Sequence, residues 1–235
     1  MKICAFSVPG TVMGKRPLKD PRLDAAHKLV EADKRTYAQV DLVANDGLAD
    51  ADAIVATADS ALDLILQDLE FVETRLGNNP PDAEKAVLLK MQVDLEASRC
   101  LSTCAYSAAD WAAVNASGLV TRKSVVTATA DEAANPDALL VRAVAAAGWL
   151  SFLTVGGMEN RAWLIRAGTT AWEAGGAIHT DIQKGFIRAE IIGWADFLAA
   201  GGETQAKRAG KLRLEMKQYV MQDYDLVNFR FNKTG

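Results

Sequence analysis

Apolar residues along this chain change their spacing several times, and each change marks an element. Residues 2–8, KICAFSV, form a short apolar run that predicts a buried strand. Within DPRLDAAHKLVEA, Leu23, Ala26 or His27 and Val30 return at helical spacing and predict a short helix. TYAQVDLV and DAIVATA are β-branched runs on either side of the turn-like ANDGLAD, and read as strands. Two longer helical patterns follow. Leu62, Ile65, Leu66, Leu69, Val72 and Leu76 make one stripe, and Leu88, Met91 and Leu95 make another. GNNPP stops the first and starts the second, so a helical hairpin is expected over about residues 61–105. KSVVTATA is a further strand and PDALLVRAVAAAGWL an apolar helix.

From about Leu150 the texture changes. LSFLTVGG, NRAWLIRAG, FIRAEIIGW and LVNFRFN are short strands around one helix in TTAWEAGGAIHTDIQKG, with Thr169 or Thr170 as its cap. The fold class expected is therefore α/β followed by α+β: a small α/β unit with a helical hairpin over residues 1–147, then a compact unit over residues 148–235.

Composition narrows the class. The chain has 235 residues, 50% hydrophobic and 24% charged, which suits a soluble globular protein of one large or two small domains. No apolar run is long enough to span a membrane, and ICAFSV lacks a signal-peptide core, so a cytoplasmic location is expected. Three cysteines argue against a disulfide framework. Cys100 and Cys104 lie four apart on a predicted helix and share a face there, where two semi-buried thiols are expected rather than a metal pair. Residues 151–235 hold 11 Lys/Arg and 9 Asp/Glu, a net +2, which leaves −6 on the rest of a chain whose total is −4. A +2 unit is no strong nucleic-acid footprint, and no DNA partner is expected.

Candidate chemistry is sparse. PGTVMGKRP has the second glycine and the lysine of a phosphate loop, Gly14 and Lys15. The first glycine is replaced by Pro9, which lacks an N–H, and the Mg²⁺-binding hydroxyl by Arg16. No catalytic group and no metal set is expected. His179 with nearby Asp181 has no nucleophile beside it and is expected to cap a helix; His27 reads as a packed side chain.

RAWLIRAGTTAWEAGGAIHTDIQKGFIRAEIIGWADFLAAGG and AKRAGKLRLEMKQYVMQDYDLVNFRFN closely resemble the C-terminal TGS domain of the YchF/Obg-like ATPase family. GTTA, IHTD, GFIRAE and FRFN fall in family order. DPRLD, DAIVATA, LILQDLEFVETRL and GLVTRKSVVTATADE carry the resemblance, weakly, through the first part. It implies a β-grasp TGS domain over 148–235 and a shortened G-domain over 1–147. Lys15 and Asp20 are nearly adjacent, with no room for the family's switch segment. The base-recognition N-x-x-E stands as TADE, with Thr129 for the asparagine and Glu132 kept. Gly14, Lys15 and Glu132 then read as vestiges of a nucleotide site. The function implied is a non-catalytic interaction protein without a cofactor, associated with the translation machinery; the alternative is a residual ATP- or GTP-binding protein or weak ATPase that acts as a switch. The partner is expected to be the ribosome, an RNA or an acidic protein, and Arg161, Arg166, Lys184 and Arg188 are the basic contacts expected on the TGS domain.

Overall fold

The computed structural model describes residues 1–8, 10–114 and 118–232. In chain order the elements are β1 (Lys2–Phe6), β2 (Gly14–Pro17), α1 (Pro21–Leu29), β3 (Lys34–Thr36), β4 (Gln39–Val43), β5 (Ala53–Ala56), α2 (Ala58–Gly77), α3 (Asp82–Glu96), α4 (Ala108–Ala113), β6 (Ser124–Thr127), α5 (Ala130–Ala134) and α6 (Asp137–Ala146). They continue as β7 (Trp149–Thr154), β8 (Glu159–Arg166), α7 (Ala171–Ile178), α8 (Thr180–Lys184), β9 (Phe186–Ile192), α9 (Trp194–Ala200), α10 (Glu203–Arg208), β10 (Arg213–Glu215) and β11 (Leu226–Phe231). Short 3₁₀ turns lie at Asn45–Asp50 and Leu101–Thr103. None of the described helices is long and apolar enough to cross a membrane.

Contacts divide the chain into two units: Met1–Arg16 with Val40–Ala147, and Pro17–Gln39 with Gly148–Gly235. The sequence break expected at 147/148 is one crossing between them. Residues 17–39 differ from the expectation, because they join the C-terminal unit. The reason is pairing: β3 runs parallel to β8, with Lys34 beside Glu159 and Thr36 beside Arg161. Arg22 adds an ion pair to Asp223.

The first unit carries a five-stranded sheet in the order β2-β4-β1-β5-β6. β4, β1, β5 and β6 run parallel. Burial on both sides explains the apolar run of β5, AIVA, in which every residue is buried. The expected hairpin is α2 and α3, and it ends earlier than expected, at Glu96. Its core is Ile65, Val72, Leu88, Met91 and Leu95. Leu62 and Leu66, placed in the buried stripe by periodicity, are instead exposed, and the buried face of α2 is shifted to Ala61, Leu64 and Asp68. Cys100 and Cys104 are not on a helix. They flank the Leu101–Thr103 turn, because the chain leaves α3 through Ser98 in the left-handed region at φ +55°. Both are free, partly buried thiols.

The second unit carries a six-stranded mixed sheet in the order β10-β9-β11-β7-β8-β3. One face packs on α7 and α8 through Phe152, Ile165, Ala174, Phe186, Ile191 and Phe229. Phe229 sets its edge against Phe152 at 6.1 Å. TYAQVDLV, expected as one strand, is divided between the two sheets: its start is the end of β3 and its second half is β4.

Candidate nucleotide crevice and C-terminal surface

β1 lies where the strand order reverses, since the chain first builds outward to β4 and then to β5 and β6 on the other side. Ligands of open α/β sheets bind beyond the carboxyl ends of strands at such a point. A crevice of about 540 Å³ opens there, lined by Ser7, Val8, Met13, Ala44, Asn45 and Asp46 among others.

Two of its polar residues, Ser7 and Asn45, are turned on one another. Ser7 sits at φ +51° and donates its backbone N–H to Asn45 Oδ1 at 3.0 Å, while Asn45 Nδ2 donates to Ser7 Oγ at 3.2 Å. Beneath them the Cys4 thiol donates to the Ala44 carbonyl at 3.4 Å, and burial pushes its pKa up to about 11. Gly47 is required by close approach, for a Cβ there would lie 2.6 Å from Val43 Cβ.

Gly14 and Lys15 do not form a phosphate cradle. A phosphate loop presents backbone N–H groups and a helix N-terminus to the anion. Here Gly14, at φ +102°, turns the chain into β2, and Lys15 lies on that strand with no helix after it before Pro21. Pro9 lies outside the described residues. Glu132 is also placed elsewhere in purpose. Thr129 caps α5, accepting from the Glu132 N–H at 3.2 Å, while Glu132 accepts from the Thr129 N–H at 3.0 Å. The same carboxylate pairs with Arg142 at 2.7 Å, and the Thr129 N–H, aided by Arg142, holds its pKa below the usual range. TADE thus forms a capping box.

A second hollow of about 660 Å³ lies in this unit beside the Asn45–Asp50 turn, reaching Gln67, Gly118, Arg122 and Lys123. Lys123 Nζ donates to the Leu48 and Ala49 carbonyls, and burial lowers its pKa. The loop before β6 is held from below by Asp68, which is fully buried on α2. Asp68 accepts from the N–H groups of Val120 and Thr121 at 2.7 and 2.8 Å and from the Thr121 hydroxyl. Burial raises its pKa despite those donors. Sequence reading missed this clamp; its one signal is an aspartate inside an apolar helical stripe.

In the C-terminal unit the four basic residues do not converge. Arg161 and Arg166 are five apart on β8 and fall on opposite faces of the sheet. Arg161 stacks on Trp163 at 3.9 Å and Arg166 on Trp149 at 4.5 Å. Arg188 is on β9, separated from β8 by β11 and β7, and lies 3.8 Å from Glu190. Lys184 ends α8 and is exposed. Thr170 caps α7 in a capping box with Glu173, and His179 Nδ1 accepts from the Asp181 N–H at 3.1 Å as the cap of α8, the role expected of it. His27 Nδ1 meets the Asn160 amide at 3.0 Å. DPRLD is a brace: Asp20 caps α1 and pairs with Arg22, whose guanidinium lies 3.6 Å over the Tyr224 ring. Among the described residues, no group of three or more His, Cys, Asp or Glu side chains is arranged to hold a metal ion.

Comparison with known proteins places these observations. Residues 149–232 match the family described as YchF-GTPase_C, protein of unknown function (DUF933). The ribosome-binding ATPase YchF of Bacillus subtilis is 47% identical over 96 residues, which is 41% of this chain and 26% of that protein. Its counterpart in Haemophilus influenzae is 52% identical over 82 residues, 35% of this chain and 23% of that one. Obg-like ATPase 1 of Danio rerio is 48% identical over 81 residues, 34% of this chain and 20% of its own. The chain therefore spans about a quarter of the length of these relatives. The solved structure of the Schizosaccharomyces pombe YchF GTPase superposes with a TM-score of 0.69 at 18% identity, covering 97% of both chains, and shows the shared fold. Through residues 149–232, then, the chain is similar to the C-terminal part of the YchF and Obg-like ATPases.

Proposed function

We propose that this chain is a non-catalytic, cytoplasmic interaction protein that docks on the ribosome through its C-terminal unit, a β-grasp TGS domain, while its nucleotide crevice is disused. One observation carries the loss of catalysis: Gly14 and Lys15 lie on an edge strand instead of a loop that opens a helix. Phosphoryl transfer needs several groups positioned together, and the N–H of Ser7, a residue that lines the crevice, is already engaged by Asn45. The ribosome enters from the printed names of the relatives, which match over the C-terminal unit. A second reading, nucleotide binding without turnover, is favoured by the crevice itself, which keeps its place at the strand-order reversal.

Two measurements separate these readings. Calorimetric titration with ATP and GTP, with and without Mg²⁺, should give no binding heat, and Lys15→Ala should behave as the parent. Saturable heat supports the second reading, and turnover that Lys15→Ala removes overturns the first. Co-sedimentation with ribosomes at low salt should carry the protein into the pellet; a protein that stays in the supernatant overturns ribosome docking.

A further inference from the structure

β10 is the terminal strand of the C-terminal sheet, antiparallel to β9 with Leu214 opposite Glu190. No described strand pairs with its outer side. Edge strands present a row of unpaired N–H and C=O groups, and proteins commonly blunt them with charge. This one is blunted on one side only. Arg213 and Glu215 pair with each other at 3.5 Å, and Arg213 also reaches the Tyr219 hydroxyl at 3.0 Å. Leu214 on the strand and Met216 just past its end are apolar and are 58% and 62% exposed. Trp172, whose backbone N–H donates to the Lys217 carbonyl, adds an exposed ring beside this segment.

The stretch of sequence that leads into and out of β10 is basic. Residues 203–217 hold Lys207, Arg208, Lys211, Arg213 and Lys217 against Glu203 and Glu215. Lys207 is paired with Glu203 at 2.6 Å and Lys211 with Asp196 at 3.0 Å. Arg208 and Lys217 are exposed and make no ion pair among the described residues. Two uncommitted cations are few for a nucleic acid, whose binding grows with each neutralised phosphate, and exposed aliphatic side chains add nothing to phosphate contact. They suit a peptide. Strand addition draws affinity from main-chain hydrogen bonds and specificity from alternate side chains.

We propose that the open edge of β10 receives an extended segment of a partner protein, in which apolar residues alternating along one side meet Leu214 and Met216, and acidic residues on the other meet Lys217. This surface is independent of the ribosome reading, since neither test uses the other's ligand.

The probe is a short fluorescein-labelled peptide of alternating Glu and Val, added to the full-length protein and followed by anisotropy. Saturable binding is expected. N-methylating alternate amides in one phase should abolish it, and in the other phase leave it nearly unchanged, because only one set of N–H groups faces the edge. Leu214→Lys with Met216→Lys, and separately Lys217→Glu, should each weaken binding about tenfold or more without lowering the melting temperature, as both sites are exposed. The proposal is overturned if the peptide does not bind, if both methylation phases act equally, or if a labelled single-stranded RNA binds this surface while the peptide does not.

Discussion

Asp68 is the residue on which the first unit's last strand most depends. It alone answers two backbone donors and a hydroxyl in the loop that leads into β6. Asp68→Ala leaves these groups buried without an acceptor, and should cost about 3 kcal/mol in urea unfolding. A loss within about 0.5 kcal/mol would mean that the loop is held by other contacts. Two glutamates contribute to the acid limit, beside Asp110, Glu159 and Glu190, whose pKa values are also held low. Glu132 and Glu173 both accept from their N-cap N–H groups, which holds their pKa values low. A folded pKa below the unfolded one gives stability that is present above the unfolded value and lost as pH falls through the folded one. The melting temperature should therefore drop between roughly pH 5 and pH 3, and Glu132→Gln with Glu173→Gln should flatten that drop. An unchanged slope in the double variant would discard the caps as its source. At this scale the sequence was readable where a residue acts on its neighbours. The His179 cap and Thr170 follow from local spacing. Asp68 does not, because its partners are more than fifty positions away.

Elements were legible in proportion to their length and regularity. The long hairpin helices, the apolar β1 and β5 and the strands after Leu150 all stand where periodicity places them. β2 was hidden, because GKRP has no apolar alternation and pairs only at a sheet edge. The exposure of Leu62 and Leu66 was hidden for another reason: periodicity finds an apolar stripe without saying which part of it meets the sheet. β2 itself is testable by stability alone. Gly14→Ala forces a side chain into φ +102° and should cost about 1 kcal/mol or more. Lys15→Ala, on an edge strand, should stay within about 0.5 kcal/mol. Thermal melts of the two variants check the contrast, and equal losses would return Lys15 to a structural role.

At the scale of the molecule, the division of the chain is what the sequence concealed. Charge and texture both change near Leu150, yet nothing local in residues 17–39 announces that their partners lie beyond residue 147. A fragment of residues 148–235 should melt at a lower temperature than the same fragment joined to residues 17–39, because β8 then loses β3 and Asp223 loses Arg22. Equal melting temperatures would show that the early segment is dispensable to the later one. The interleaving also fixes an order of events during synthesis. Residues 17–39 leave the translating machinery before their partners and must wait while the next 108 residues are made. At about 5–20 residues per second that interval is on the order of 5–20 s, far longer than local folding needs. Through all of it, the unpaired edge of β3 and the apolar side of α1 have no sheet to join. A nascent chain of this protein therefore carries its own early strand as a transient liability, open to chaperones and to mispairing until the last third of the chain arrives.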